Sequence, residues 1–104
     1  MPGPIRRLRA TGAYVANAEV GGVTITPAHD GLFVMTLSFT GAAAPPTLFK
    51  RIGGVNVAMN SAVTLLNSQE YTFEFLAAPE DPFTFRLDQN LTFVQFIVGE
   101  FKDR

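Results

Sequence analysis

The chain of 104 residues has no cysteine, no tryptophan and one histidine. Without cysteine there is no disulfide frame, no thiolate zinc site and no thiol nucleophile. The lone His29 removes the paired imidazoles of a zinc site. Charge is scarce as well. Eight Lys and Arg and nine Asp and Glu make up 16% of the chain, where about 25% is usual. A monomer of 11.3 kDa has about 5,700 Å² of surface to cover. That surface is therefore either uncharged polar and Gly/Ala backbone, or partly covered by other subunits. With 47% hydrophobic residues and a net charge of −1, the chain is not compositionally disordered. Long apolar runs are missing too. The longest uncharged stretch, 31–49, contains Thr36, Ser38, Thr40 and Gly41, and Pro45-Pro46 breaks any spanning helix there. The N-terminus has positive charge but no apolar h-region behind it, so the chain is expected to be soluble and made without an export signal. The sequon Asn90-Leu91-Thr92 is then chemically idle.

What is present is a period of two. Phe33, Met35, Leu37 and Phe39 alternate with Leu32, Val34, Thr36, Ser38 and Thr40. Tyr71, Phe73 and Phe75 alternate with Thr72, Glu74 and Leu76, and Val55, Val57 and Met59 with Asn56, Ala58 and Asn60. Such alternation predicts half-buried antiparallel strands. Weaker strand candidates are 13–19, 23–26, 47–52, 83–87 and 92–101. Turn residues separate them at Gly21-Gly22, 28–31, Pro45-Pro46, Gly53-Gly54, 67–69, 79–82 and 88–90. A spacing of roughly 8–12 residues predicts an all-β fold: an antiparallel β-sandwich or jelly-roll-like domain of about eight strands. The short links at 79–82 and 88–90 predict a meander for the last three strands. Met59, Val63 and Leu66 also fall at helical spacing, which admits one helical turn within 57–66. Residues 1–12 read as an extended N-terminal arm ahead of a single domain at 13–104. In it, Pro2-Gly3-Pro4 precedes Ile5-Arg6-Arg7-Leu8-Arg9, with three of the eight basic residues.

Few residues could start a reaction. His29-Asp30 has the right types for a general base, but lies between Pro27-Ala28 and Gly31 and reads as a surface turn. Ser38, Ser61 and Ser68 lack a nucleophile elbow. Glu80, Asp81 and Asp88 could offer oxygens to Ca²⁺, yet no D-x-D-x-D spacing is present and Pro79 and Pro82 already explain the turn. Gly53-Gly54 follows Lys50-Arg51-Ile52 but precedes a strand, so it reads as a turn and not a phosphate loop. Ten Phe against two Tyr point to core or dry interface, not to sugar-stacking platforms. Outside the arm five basic residues face nine acidic ones, which disfavours a nucleic-acid groove. No metal, cofactor, nucleic acid or membrane is expected, and no enzyme.

The C-terminal half has a distinct cadence. It runs Asn67-Ser68-Gln69-Glu70-Tyr71-Thr72-Phe73-Glu74-Phe75, a Pro/acidic turn, Phe83-Thr84-Phe85-Arg86-Leu87-Asp88, then Leu91-Thr92-Phe93-Val94-Gln95-Phe96-Ile97-Val98-Gly99-Glu100. This resembles small β-sandwich virion structural proteins of tailed phages, of the capsid decoration and minor structural type. The likeness covers 13–101 as a strand pattern and 67–100 more tightly. It implies a non-enzymatic virion subunit, a capsid decoration (cement) protein made in the host cytoplasm, self-associating and bound to a major capsid protein or other virion protein. The homo-oligomer has a trimer among the assemblies open to it. In this reading Ile5, Arg6, Arg7, Leu8 and Arg9 of the arm form the partner-binding residues, with arginines docking on acidic or carbonyl groups, and the body folds without them. The alternatives are a ligand- or carbohydrate-binding adhesion module using the loops around His29, Glu80, Asp81 and Asp88, and a tail or connector component.

Overall fold

Alternating Phe, Met and Leu on one side of Gly31–Thr40 demands an apolar surface to lie against, and the structure supplies one from a second sheet. The structure is a computed structural model that describes residues 4–101. Its strands are β1 (Ile5–Tyr14), β2 (Gly31–Thr40), β3 (Leu48–Ile52), β4 (Val55–Ala58), β5 (Glu70–Ala77), β6 (Phe83–Leu87) and β7 (Leu91–Glu100). One 3-10 turn, Val20–Gly22, is the only helical element among the described residues. The strands form two antiparallel sheets, ordered β1-β7-β2-β5 and β4-β3-β6.

The inner faces of both sheets meet in one core. Phe33, Met35, Leu37 and Phe39 of β2 and Phe93, Phe96 and Val98 of β7 join Leu48 of β3 and Phe83, Phe85 and Leu87 of β6. Phe83 touches Phe33 and Phe75 of the opposite sheet edge-on, each at 5.4 Å, and Phe85 reaches Phe96 at 5.5 Å. The accessible surface of 5752 Å² matches what size scaling gives for a compact chain of this mass. The shortage of charge is therefore not relieved by a smaller surface.

β2 and β6 occupy the residues expected of them, β3 starts one residue later, β5 and β7 differ by one residue at each end, and β4 stops at Ala58, two residues short of the alternation at 55–60. Three expectations change. Seven strands are present among the described residues, not about eight. The candidate at 13–19 supplies only the end of β1, and 23–26 reduces to a single bridge between Ile25 and Phe83. The last three strands are not a meander, because β5 and β7 lie in one sheet and β6 in the other. The links at 79–82 and 88–90 cross between sheets, and a short polar link reads the same whether it turns a hairpin or changes layer. The segment 57–66 makes no helix. It is held in a turn by buried Asn60, which accepts from Leu48 N–H at 2.8 Å and donates to Val63 C=O at 3.0 Å.

The N-terminal residues also take a different place. Residues 5–12, expected as part of an arm, form β1 together with 13 and 14 and pair along β7, so a boundary between 12 and 13 falls inside a strand. The register slips between Arg6 and Leu8 and again between Ala10 and Gly12, where φ is +89°. These bulges break the alternation that would have revealed a strand. Residues 1–3 of the expected arm, and Lys102, Asp103 and Arg104, lie outside the described residues.

Tyr14 closes β1 against β6. Its hydroxyl accepts the Leu87 N–H at 2.9 Å and donates to the Ala18 carbonyl. Burial pushes its phenol pKa up, with the hydrogen bond at Leu87 acting in the opposite direction. Tyr14→Phe leaves the buried Leu87 amide unpaired and is expected to cost about 1–3 kcal/mol. For a domain of this size, the midpoint of a thermal melt then falls by roughly 5–15 °C. An unchanged midpoint would show that water or a neighbouring group replaces the hydroxyl.

Candidate interaction surface

β1 places its five named residues in three different environments. Ile5, Arg6 and Arg9 are exposed, Arg7 is half-buried and Leu8 is only 6% exposed. The bulge at Arg7 turns its guanidinium inward, where it pairs with the Glu100 carboxylate and donates to the Thr26 carbonyl at 2.7 Å. Glu100 is buried and accepts a second bond from the Ala28 N–H at 2.9 Å. One carboxylate thus ties β1, β7 and the approach to β2 together. Arg7 and Leu8 are consumed inside the fold, so of the expected docking residues Ile5, Arg6 and Arg9 remain open to a partner.

Arg6 and Arg9 stand on the outer face of the four-stranded sheet. Register sets their neighbours: one row runs Arg6, Gly99, Val34, Glu74 and the next Arg9, Ile97, Thr36, Thr72. A third contains Gln95, Ser38 and Glu70, and Leu32 lies beside Leu76. The two central strands present no charge on this face. β7 shows Thr92, Val94, Gln95, Ile97 and Gly99, and β2 shows Leu32, Val34, Thr36, Ser38 and Thr40. Val94 is 58% exposed and Leu76 75%. The face is basic along β1, uncharged in the middle and acidic along β5. Gly99 leaves room for the Pro4 ring, since a Cβ there would lie 2.8 Å from Pro4 Cβ. The depression between Pro4, Arg6, Val34, Thr36 and Ile97 measures about 130 Å³, well below the roughly 300–1,000 Å³ of small-molecule sites.

Of the other candidates, Asp30 and Asp81 come together, lining an open depression of about 510 Å³ with Gly31 and Leu76, whereas Asp88 lies apart. His29 Nδ1 lies 3.0 Å from the Asp30 carbonyl in the loop before β2. Glu80 and Asp81 are exposed at the start of β6, whereas Asp88 follows its far end and accepts from Thr47 N–H at 2.8 Å. A five-residue strand separates Asp88 from Glu80 and Asp81 by about 13 Å or more, so Asp88 does not join the loops that carry Asp30 and Asp81. Among the described residues, no three of His, Cys, Asp and Glu group as metal ligands, and no helix is long and apolar enough to cross a membrane. Gly53 and Gly54 have φ of +57° and +81° and make the two-residue turn joining β3 to β4, a conformation that favours glycine. Lys50 is a group that sequence reasoning passed over. It points inward with Nζ 4.4 Å from the Phe75 ring centre. Desolvation there lowers its pKa, against the opposing pull of Asp81. Its place on the inner face follows from strict alternation with Phe49 and Arg51.

No family model matches the chain, and no curated protein or solved structure gives a significant match.

Proposed function

We propose that this chain is a non-enzymatic structural subunit that works by burying sheet surface against copies of itself and a larger protein lattice. The two facing sheets form a β-sandwich in this reading, and the strand cadence of residues 67–100 gives its setting as the phage virion, as a capsid decoration subunit. The observation that supports it is the uncharged outer face of β7 and β2, the two central strands of the four-stranded sheet. A central sheet face lacking charge is stabilised when another protein surface displaces water from it, while charged groups remain at the rim. The test is oligomeric state. Native mass spectrometry and sedimentation equilibrium from low micromolar to near-millimolar concentration are expected to show a defined multimer. A monomer at every concentration would overturn self-association and with it this reading.

A further inference from the structure

We infer that the partner of this outer face is the same face of a second copy, related by a two-fold axis running along the strands. The inference rests on the assembly reading above and specifies which surface assembles and in what orientation. Charge placement selects the geometry. Arg6 and Arg9 line the β1 margin, Glu70 and Glu74 line the β5 margin, all four are exposed, and none forms an ion pair among the described residues. A two-fold axis along the strands lays the β1 margin of each copy over the β5 margin of the other. Arg6 then meets Glu74, because both belong to one row of the sheet. Arg9 faces Thr72, between the two glutamates. The alternative aligned stacking, with the axis across the strands, sets arginine over arginine and glutamate over glutamate. Like charges brought together at an interface cost several kcal/mol, so the first arrangement is selected.

The centre of the contact is consistent with this. Val34, Thr36 and Ile97 of each copy meet across the axis, and the hydroxyls of Thr36 and Thr72 already satisfy each other at 3.1 Å. Leu76 of one copy faces the Pro4 end of β1 in the other. Four strands at about 4.8 Å spacing, over eight residues of about 3.3 Å, give a face of about 19 × 26 Å. Two such faces bury on the order of 1,000 Å², which reaches the size of a specific interface. Addition of a strand along the β1 edge is less favoured, because two bulges interrupt its ladder and bulges guard an edge against pairing.

A charge exchange tests the orientation. The R6E/R9E variant and the E70R/E74R variant each place like charges over like, and each is expected to self-associate at least tenfold more weakly than the parent in sedimentation equilibrium. Mixed together they restore both oppositions, and native mass spectrometry is expected to show the heterodimer dominating. Thermal melts establish that each variant is folded, and V94K, at an exposed site on the same face, supplies a second weakening variant if one of the doubles is not. If the parent assembles and the variants assemble equally well, this face is not the interface, while the assembly reading stands. A mixture that does not recover would show that these charges do not face one another. The axis is read from the fourfold exchange R6E/R9E/E70R/E74R, which is expected to self-associate like the parent yet form no heterodimer with it; a heterodimer with the parent would show that the axis runs across the strands. A parent that stays monomeric removes both.

Discussion

Deletion of residues 1–10 is expected to abolish cooperative folding. The deletion strips five of the eight paired positions from the β1–β7 ladder, and takes Leu8 out of the core with Ala10, which packs against it. Loss of a buried leucine costs about 2–5 kcal/mol. The heavier consequence falls on Glu100. With Arg7 gone, the Glu100 carboxylate loses its ion pair and keeps a single bond from the Ala28 amide. An ion left without its partner inside a protein costs about 3–5 kcal/mol, somewhat less here because the Arg7 side chain is 26% exposed. A domain of this size has about 5–15 kcal/mol in total, and the two losses use most of it. Far-ultraviolet circular dichroism on heating is expected to show no cooperative transition for the truncated chain. A melt within a few degrees of the full chain would make β1 an accessory after all. The companion substitution, Glu100→Leu, removes the charge instead of stranding it, and in the truncated chain it is expected to recover part of the loss.

Replacement of Phe83 by alanine is the most damaging single change expected in the core. Phe83 is 1% exposed and its ring meets Phe33, Phe75 and Phe85, each at 5.4 Å and near-perpendicular. It therefore belongs to both sheets at once, and its backbone also carries the bridge to Ile25. Phe→Ala in a core costs about 3–5 kcal/mol in transfer and cavity terms. Edge-to-face pairs add about 0.5–1.5 kcal/mol each beyond burial, so the upper end of that range is expected. Urea unfolding measures it as a fall in midpoint at constant slope. A loss below about 1 kcal/mol would mean that the two sheets repack around the void. Phe83→Leu retains most of the volume and is expected to lose about half as much.

The strands most legible in the sequence are those whose inner and outer residues alternate without interruption. β2 reads directly because Phe33, Met35, Leu37 and Phe39 never change sides, and β6 because Phe83, Phe85 and Leu87 are flanked by Pro82 and Asp88. β1 was hidden by its own irregularities. Two register slips, Gly12 in a left-handed conformation and three arginines give it the appearance of a solvated arm, although Leu8 and Tyr14 are buried in the core. Layer assignment was hidden for a different reason. Nothing in Pro79-Glu80-Asp81-Pro82 distinguishes a hairpin from a crossing, since that depends on which distant strand competes for the edge. That β1 carries three arginines is plain from the sequence, but the division between Arg6 and Arg9 on the surface and Arg7 inside depends on one bulge. Glu100 falls inside the strand candidate 92–101, but nothing in the sequence marks a charged residue there as internal, and only the fold shows that it is buried.

The pairing of β1 with β7 also governs how the chain can fold as it is made. β1 is the first of the seven strands to be synthesised and its only sheet neighbour is the last. Until β7 has left the ribosome, β1 lacks the one strand it pairs with, and the inner face of β2 lacks one of its two flanking strands. Closure therefore waits for nearly the whole sequence. Contacts between remote segments carry a loop-closure cost before they return anything, which places folding in the slow, millisecond-to-second class typical of such topologies. During that wait the exposed strands are open to pairing with other chains. The two bulges in β1 shorten the uninterrupted edge available for such pairing, and so serve the nascent chain as much as the finished sheet.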